Sequence, residues 1–167
     1  MGILEAIQNS AFPTWVRESS SIFGYTMILS LHAIGLAIVV GMNAAISLRL
    51  LGLAPAIPLR PALKFFPVMY AGFWVNVLSG FALLAANATG MLTNVMFYLK
   101  MAFVALSVFV LRLIRNIVFA DDAVDHVSVT DTRARGLAYA SLACWAFAIV
   151  TGRLTAYPYF VEAWFGI

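Results

Sequence analysis

Acidic side chains are missing from the places where their absence says most: of seven Asp and Glu in 167 residues, none falls within any of four long apolar runs. A basic group inside those runs therefore has no carboxylate of its own span to pair with. Charged residues make up only 10% of the chain, against about 25% in soluble domains. The one cysteine, Cys144, lies within an apolar run, gives no sign of a disulfide framework, and cannot by itself form a cysteine metal site. No phosphate-binding glycine loop, nucleophile elbow or HExxH motif occurs, which leaves hydrolytic and nucleotide chemistry without support. The opening MGILEAIQNSAF has neither a basic n-region nor a long apolar h-region, so no cleavable signal is expected. Ala6 stands where a myristoylated terminus has Ser or Thr.

Apolar residues fill the space. They make up 63% of the chain, and the mean hydropathy is +0.97. Residues Ser19 to Leu48 contain no Asp, Glu, Lys or Arg and one histidine, His32. A bilayer core about 30 Å thick is crossed by about 20 helical residues, so this stretch predicts a membrane span. The same reasoning predicts four spans, at about 22–48, 67–88, 95–118 and 136–155. The expected fold is all-α: one domain over 1–167, a four-helix up-down transmembrane bundle. Ile3, Leu4, Ile7 and Ala11 recur at helical spacing and predict a short interfacial helix ahead of it, broken at Phe12-Pro13-Thr14-Trp15.

Ten basic residues give a formal charge of +3, but they are scattered at helix ends instead of forming a nucleic-acid patch. Arg49, Arg60, Lys64, Arg112, Arg115, Arg133 and Arg135 flank two connections; only Arg17, Lys100 and Arg153 flank the opposite side. The positive-inside rule then puts both termini outside and both basic loops in the cytoplasm. The stretch ADDAVDHVSVTDTRAR is the one frankly hydrophilic segment and reads as a solvated acidic loop; His126 and its aspartates match no EF-hand spacing.

Three ionisable residues fall in the outer half of the predicted membrane. His32 lies seventeen residues before Arg49, roughly 25 Å at about 1.5 Å per helical residue. Arg153 lies seventeen residues beyond Gly136 and Lys100 twelve before Arg112, roughly 25 Å and 18 Å. In one reading Lys100 and Arg153 snorkel to headgroups or meet Glu18 or Glu162, while His32 hydrogen-bonds a backbone carbonyl. In the other they surround a cofactor. His32 ligates a heme b iron with Lys100 and Arg153 on the propionates, or His32 and Arg153 hydrogen-bond a quinone head without a metal. A bis-histidine heme would need a second chain's His32, because His126 falls on the wrong side; Met27, Met91, Met96 and Met101 are the other candidate ligands. Asn43 and Asn76 read as interhelical hydrogen-bond glue, or, in a carrier or channel, as lining of one cavity with His32. Small residues recur every fourth position in two spans: Ala33, Ala37, Gly41 and Ala45, then Gly136, Ala140, Cys144, Ala148 and Gly152. Such ridges let membrane helices approach closely, within the chain or against a partner.

The phrases LHAIGLAIVVG, SLRLLGL and YLKMAF, with a tryptophan followed by TGRLTAYP, resemble a family of small four-helix bacterial inner-membrane proteins of unknown function. The resemblance covers most of the chain and emphasises His32, Arg49, Lys100, Gly152, Arg153 and Tyr157. Ser47 stands where that pattern commonly has Asp, and Phe119-Ala120 where it has a histidine. The resemblance implies a bacterial cytoplasmic membrane and a fold, but no activity. Together with the missing intramembrane acids, these observations lead to an expected role as an accessory or anchor subunit of a respiratory or photosynthetic redox complex. Its surroundings would be lipids and other membrane subunits or further copies, and its site would be His32, Lys100, Arg153 and Tyr157. A small carrier or channel is the alternative.

Overall fold

In the computed structural model, residues 2–53, 55–119, 132–157 and 163 are described. Those residues form helices and connecting turns, without a strand. Two short helices, α1 (Ile3–Gln8) and α2 (Ala11–Glu18), precede a long one, α3 (Tyr25–Leu50). A 3-10 turn, Arg60–Lys64, runs directly into α4 (Phe65–Ala86); α5 (Ala88–Leu92) is a single short turn; α6 (Val95–Val118) and α7 (Thr132–Leu154) complete the set. Four of these, α3, α4 with its leading turn, α6 and α7, are long and apolar enough to cross a membrane. Helices α3, α4 and α7 spread their apolar residues around the circumference, α6 gathers its own more to one side, and no more than 33% of any span's most apolar window is buried inside the molecule. A water-soluble helix would bury its apolar stripe; here Trp74, Leu78 and Phe81 are 60%, 66% and 65% exposed.

The beginning of the chain differs from its sequence expectation. Phe12-Pro13-Thr14-Trp15 does not break the helix but lies within α2, and the break falls at Asn9-Ser10. Pro13 occupies the first turn of α2, where a backbone N–H has no intrahelical acceptor to lose. The fourth long helix starts at Thr132 rather than Gly136, because the Arg-Ala-Arg ahead of it is helix-forming despite its charge. Part of the segment expected as an acidic loop is thus helical; His126 and its four aspartates lie outside the described residues, as does Glu162.

Helix α3 packs along α4, α6 along α7, and α3 along α7, whereas α4 and α6 form no comparable seam. The α3–α4 approach is set by glycine. A Cβ on Gly35 would stand 2.7 Å from the Gly72 carbonyl oxygen and 2.8 Å from the Asn76 nitrogen. One on Gly72 would stand 2.8 Å from a methyl of Ile38. The main core gathers where Leu50, Phe66, Ile114, Val118 and Ala134 bring the ends of all four long helices together. A smaller cluster of Val39, Trp145 and Ala148 lies further along. At the opposite end α2 packs on α4 and α1 on α5. There Arg17 donates to the Ala86 carbonyl at 3.4 Å, satisfying an end carbonyl of α4 with a cation where the helix dipole favours one.

Candidate functional site

His32 lies two turns into α3 and faces α4. Its Nδ1 stands 3.0 Å from the carbonyl oxygen of Asn76 and 3.2 Å from Oγ of Ser79. A carbonyl can only accept, so Nδ1 carries the proton and donates; in the neutral ring Nε2 is then left with its lone pair. Ser79 donates its own hydroxyl hydrogen bond to the Val75 carbonyl at 2.6 Å, so its oxygen is available to accept from the same Nδ1–H. Asn76 returns the contact, its Nδ2 donating to the His32 carbonyl at 2.7 Å. Side chain and backbone of each residue are therefore tied to the other across the α3–α4 seam. Gly80 completes the seat: a Cβ there would come within 3.1 Å of the imidazole Cε1.

Lys100 reaches this region from α6. Its methylenes lie over Gly152 of α7, where a Cβ would meet Cδ at 3.2 Å. Lys100 forms no hydrogen bond or ion pair with any described residue. Arg153 behaves differently. Its guanidinium lies 5.4 Å from the ring centre of Tyr157, and Nη2 donates to the Tyr157 hydroxyl at 3.2 Å. Both side chains are exposed. Of the four expected site residues, His32 on α3 and Lys100 on α6 are both half-buried; Arg153 and Tyr157 pair with each other on the outside. Glu18 is engaged by Arg17 at 2.9 Å instead of by either of the two expected cations.

Asn43 and Asn76 each serve a different seam. Asn43 is 0% exposed and its Oδ1 accepts from Ser141 Oγ of α7 at 2.9 Å, while Asn76 ties α3 to α4. The buried Asn43 Nδ2, Ser47 Oγ and Trp145 Nε1 have no hydrogen-bond partner among the described residues, making the α3–α7 seam the most polar stretch of the interior. The two small-residue ridges also separate. Cys144 and Ala148 of α7 are buried, Ala140 and Gly152 half-buried, and Gly152 receives Lys100. Ala33, Ala37, Gly41 and Ala45 of α3 all face outward, and a Cβ on Gly41 or Gly136 would meet nothing within 4 Å. The ridges thus do not pack on each other.

Sequence reasoning missed Ser79, Gly80, Gly72 and Ser141. The signal for the first three was present: Gly72, Asn76 and Gly80 recur at every fourth position, a ridge of two glycines around an amide. Among the described residues no three His, Cys, Asp or Glu side chains come together as a metal site. No family model, no curated protein and no solved structure matches this chain.

Proposed function

We propose that the chain is a four-span protein of a bacterial cytoplasmic membrane, an up-down bundle with both termini outside. In this reading it is an accessory subunit of a membrane redox complex that holds a quinone headgroup at His32 and Lys100. The outward apolar surface of all four long helices supports insertion, and the basic residues around 49–64 and 112–135 support the orientation. The resemblance to small four-helix inner-membrane proteins agrees with both.

The observation that carries the ligand reading is the fixed tautomer of His32. With Nδ1 donating to the Asn76 carbonyl, Nε2 of the neutral ring presents a lone pair, and Lys100 on α6 presents N–H donors without an acceptor among the described residues. A quinone brings two carbonyl acceptors and, once reduced, two hydroxyl donors. Lys100 would donate to a carbonyl oxygen, His32 Nε2 would accept from a hydroxyl, and the helices would keep the head out of water. Arg153, turned to Tyr157, is left to anchor the outer surface.

Heme b is the second reading, and one observation favours it: a metal-ligating imidazole characteristically gives its other N–H to a carbonyl or carboxylate, as His32 does. His32 would hold the iron of such a group and Lys100 would meet a propionate, with any second iron ligand coming from one of the methionines or from a second copy's His32.

One preparation separates the readings. The protein purified with its native lipids is extracted for quinone and its visible spectrum recorded, for the wild type, His32→Ala and Lys100→Gln. The quinone reading expects stoichiometric quinone, lost in both variants, and no Soret band. A Soret band lost in His32→Ala would replace it with heme, and a colourless, quinone-free protein would remove both. Stoichiometric partner chains on the same gel would support the subunit role, whereas a lone chain moving solute in liposomes would support a carrier.

A further inference from the structure

We propose that the open seam between α4 and α6 is a binding site for one anionic phospholipid, with an acyl chain in the cleft and the phosphate on Arg112 and Arg115. This rests on the membrane reading above, but not on the quinone.

Every other pair of neighbouring long helices closes on itself; between α4 and α6 lies a cleft of about 190 Å³. Phe66, Tyr70, Phe73 and Trp74 wall it along α4, Val108 along α6, and Val39 of α3 contributes to its lining. A segment of a flexible hydrocarbon chain can lie in a cleft of that volume, with the rest of the chain running on along the helices, whereas a rigid helix about 10 Å across cannot enter it. Aromatic rings also tolerate an irregular chain better than they would a close-packed helix, because their flat faces offer contact in many registers.

The polar end of the site is built at the mouth. Arg112 lines the cleft itself and forms no hydrogen bond or ion pair with any described residue. Arg115 follows at three residues, hence on the same side of α6. It is held in place on α4: its guanidinium lies 5.6 Å from the ring centre of Phe66 and 5.8 Å from that of Tyr70, and Nη1 donates to the Tyr70 hydroxyl at 3.1 Å. Those contacts use the face of the guanidinium and one of its five N–H groups, leaving the others to an anion. Lys64 adds an exposed cation immediately before α4. Among the described residues the carboxylates are Glu5 and Glu18, both on the short helices at the far end of the bundle. A phosphate diester with a long apolar tail matches this arrangement of forked cations over an aromatic slot. An anionic lipid matches it better than a zwitterionic one, whose ammonium would face the same cations, and the orientation proposed above puts the site in the anionic cytoplasmic leaflet.

The test uses the full chain, delipidated in a neutral detergent and titrated by native mass spectrometry with phosphatidylglycerol and with phosphatidylcholine of identical chains. One phosphatidylglycerol is expected to bind at a concentration about tenfold lower than phosphatidylcholine. The Arg112→Gln/Arg115→Gln double variant should erase that difference, and Val108→Trp, which fills the cleft and keeps both cations, should weaken both lipids. Equal binding of the two lipids by the wild type overturns the proposal whatever the variants do, as does selectivity that survives in a folded double variant. Loss of quinone with lipid selectivity intact would sink only the headgroup reading. A chain that stays monodisperse without detergent would sink the membrane reading and this one with it.

Discussion

An imidazole tied through Nδ1 to a backbone carbonyl can neither change tautomer nor swing away without giving up that bond. At His32 the restraint is doubled, because Asn76 both accepts from the ring through its backbone and donates to the His32 carbonyl through its side chain. Asn76→Ala should therefore cost about 1 kcal/mol, the usual worth of an interhelical hydrogen bond in a membrane, measured by reversible unfolding in detergent. It should also loosen the ring, so bound ligand should fall with it. Gly80→Val tests the seat rather than the bond. Its added carbons would press on Cε1 of the ring, so ligand occupancy should drop to the level of His32→Ala. Ligand retained by Gly80→Val would show that the imidazole is not part of the site. At this scale the sequence announced His32 and Lys100, because an ionisable group in an apolar run stands out. It could not announce Ser79 or Gly80, whose importance comes only from what lies opposite them.

Within the elements, two glycines on one helix have opposite meanings. Gly35 lies against the backbone of α4, where an added methyl would come within 2.7 Å of a carbonyl oxygen that cannot move aside alone. Gly41 faces outward with nothing within 4 Å. Gly35→Ala should destabilise by about 1–3 kcal/mol through overpacking. Gly41→Ala should be neutral or slightly stabilising in the folded chain, since alanine is the better helix former. Unfolding both in the same detergent checks the contrast, and equal effects would refute the α3–α4 register. Asn94 offers a second check: its side chain accepts from the Met96 N–H at 2.9 Å as the N-cap of α6. Asn94→Ala should lower stability by about 1 kcal/mol. The four-residue spacing of Ala33, Ala37, Gly41 and Ala45 was legible, yet spacing defines a face without saying what that face meets. The face that meets α4 runs through His32, Gly35 and Ile38 instead.

At the scale of the whole molecule, the long helices show far more apolar surface outward than inward, and seven of the ten cations flank the same two connections. The orientation proposed from them is open to a direct check. In a Cys144→Ser background, Ser10→Cys should react with a membrane-impermeant maleimide on intact spheroplasts, and Leu53→Cys only after lysis. The reverse pattern would invert the topology, and labelling of both from outside would remove insertion. What the sequence determined by itself was the number and approximate extent of the long apolar helices. Length and hydropathy are properties of a contiguous run, and a backbone removed from water has to satisfy its hydrogen bonds within that run. What only the tertiary structure decided was which faces meet. It placed His32 against Asn76 and Ser79, turned Arg153 toward Tyr157, and left α4 and α6 apart around a slot capped by two arginines. Helices such as α3, α4 and α7, greasy on nearly every side, carry no stripe to say which side turns inward, so that choice falls to a few glycines and hydrogen bonds between residues distant in the chain.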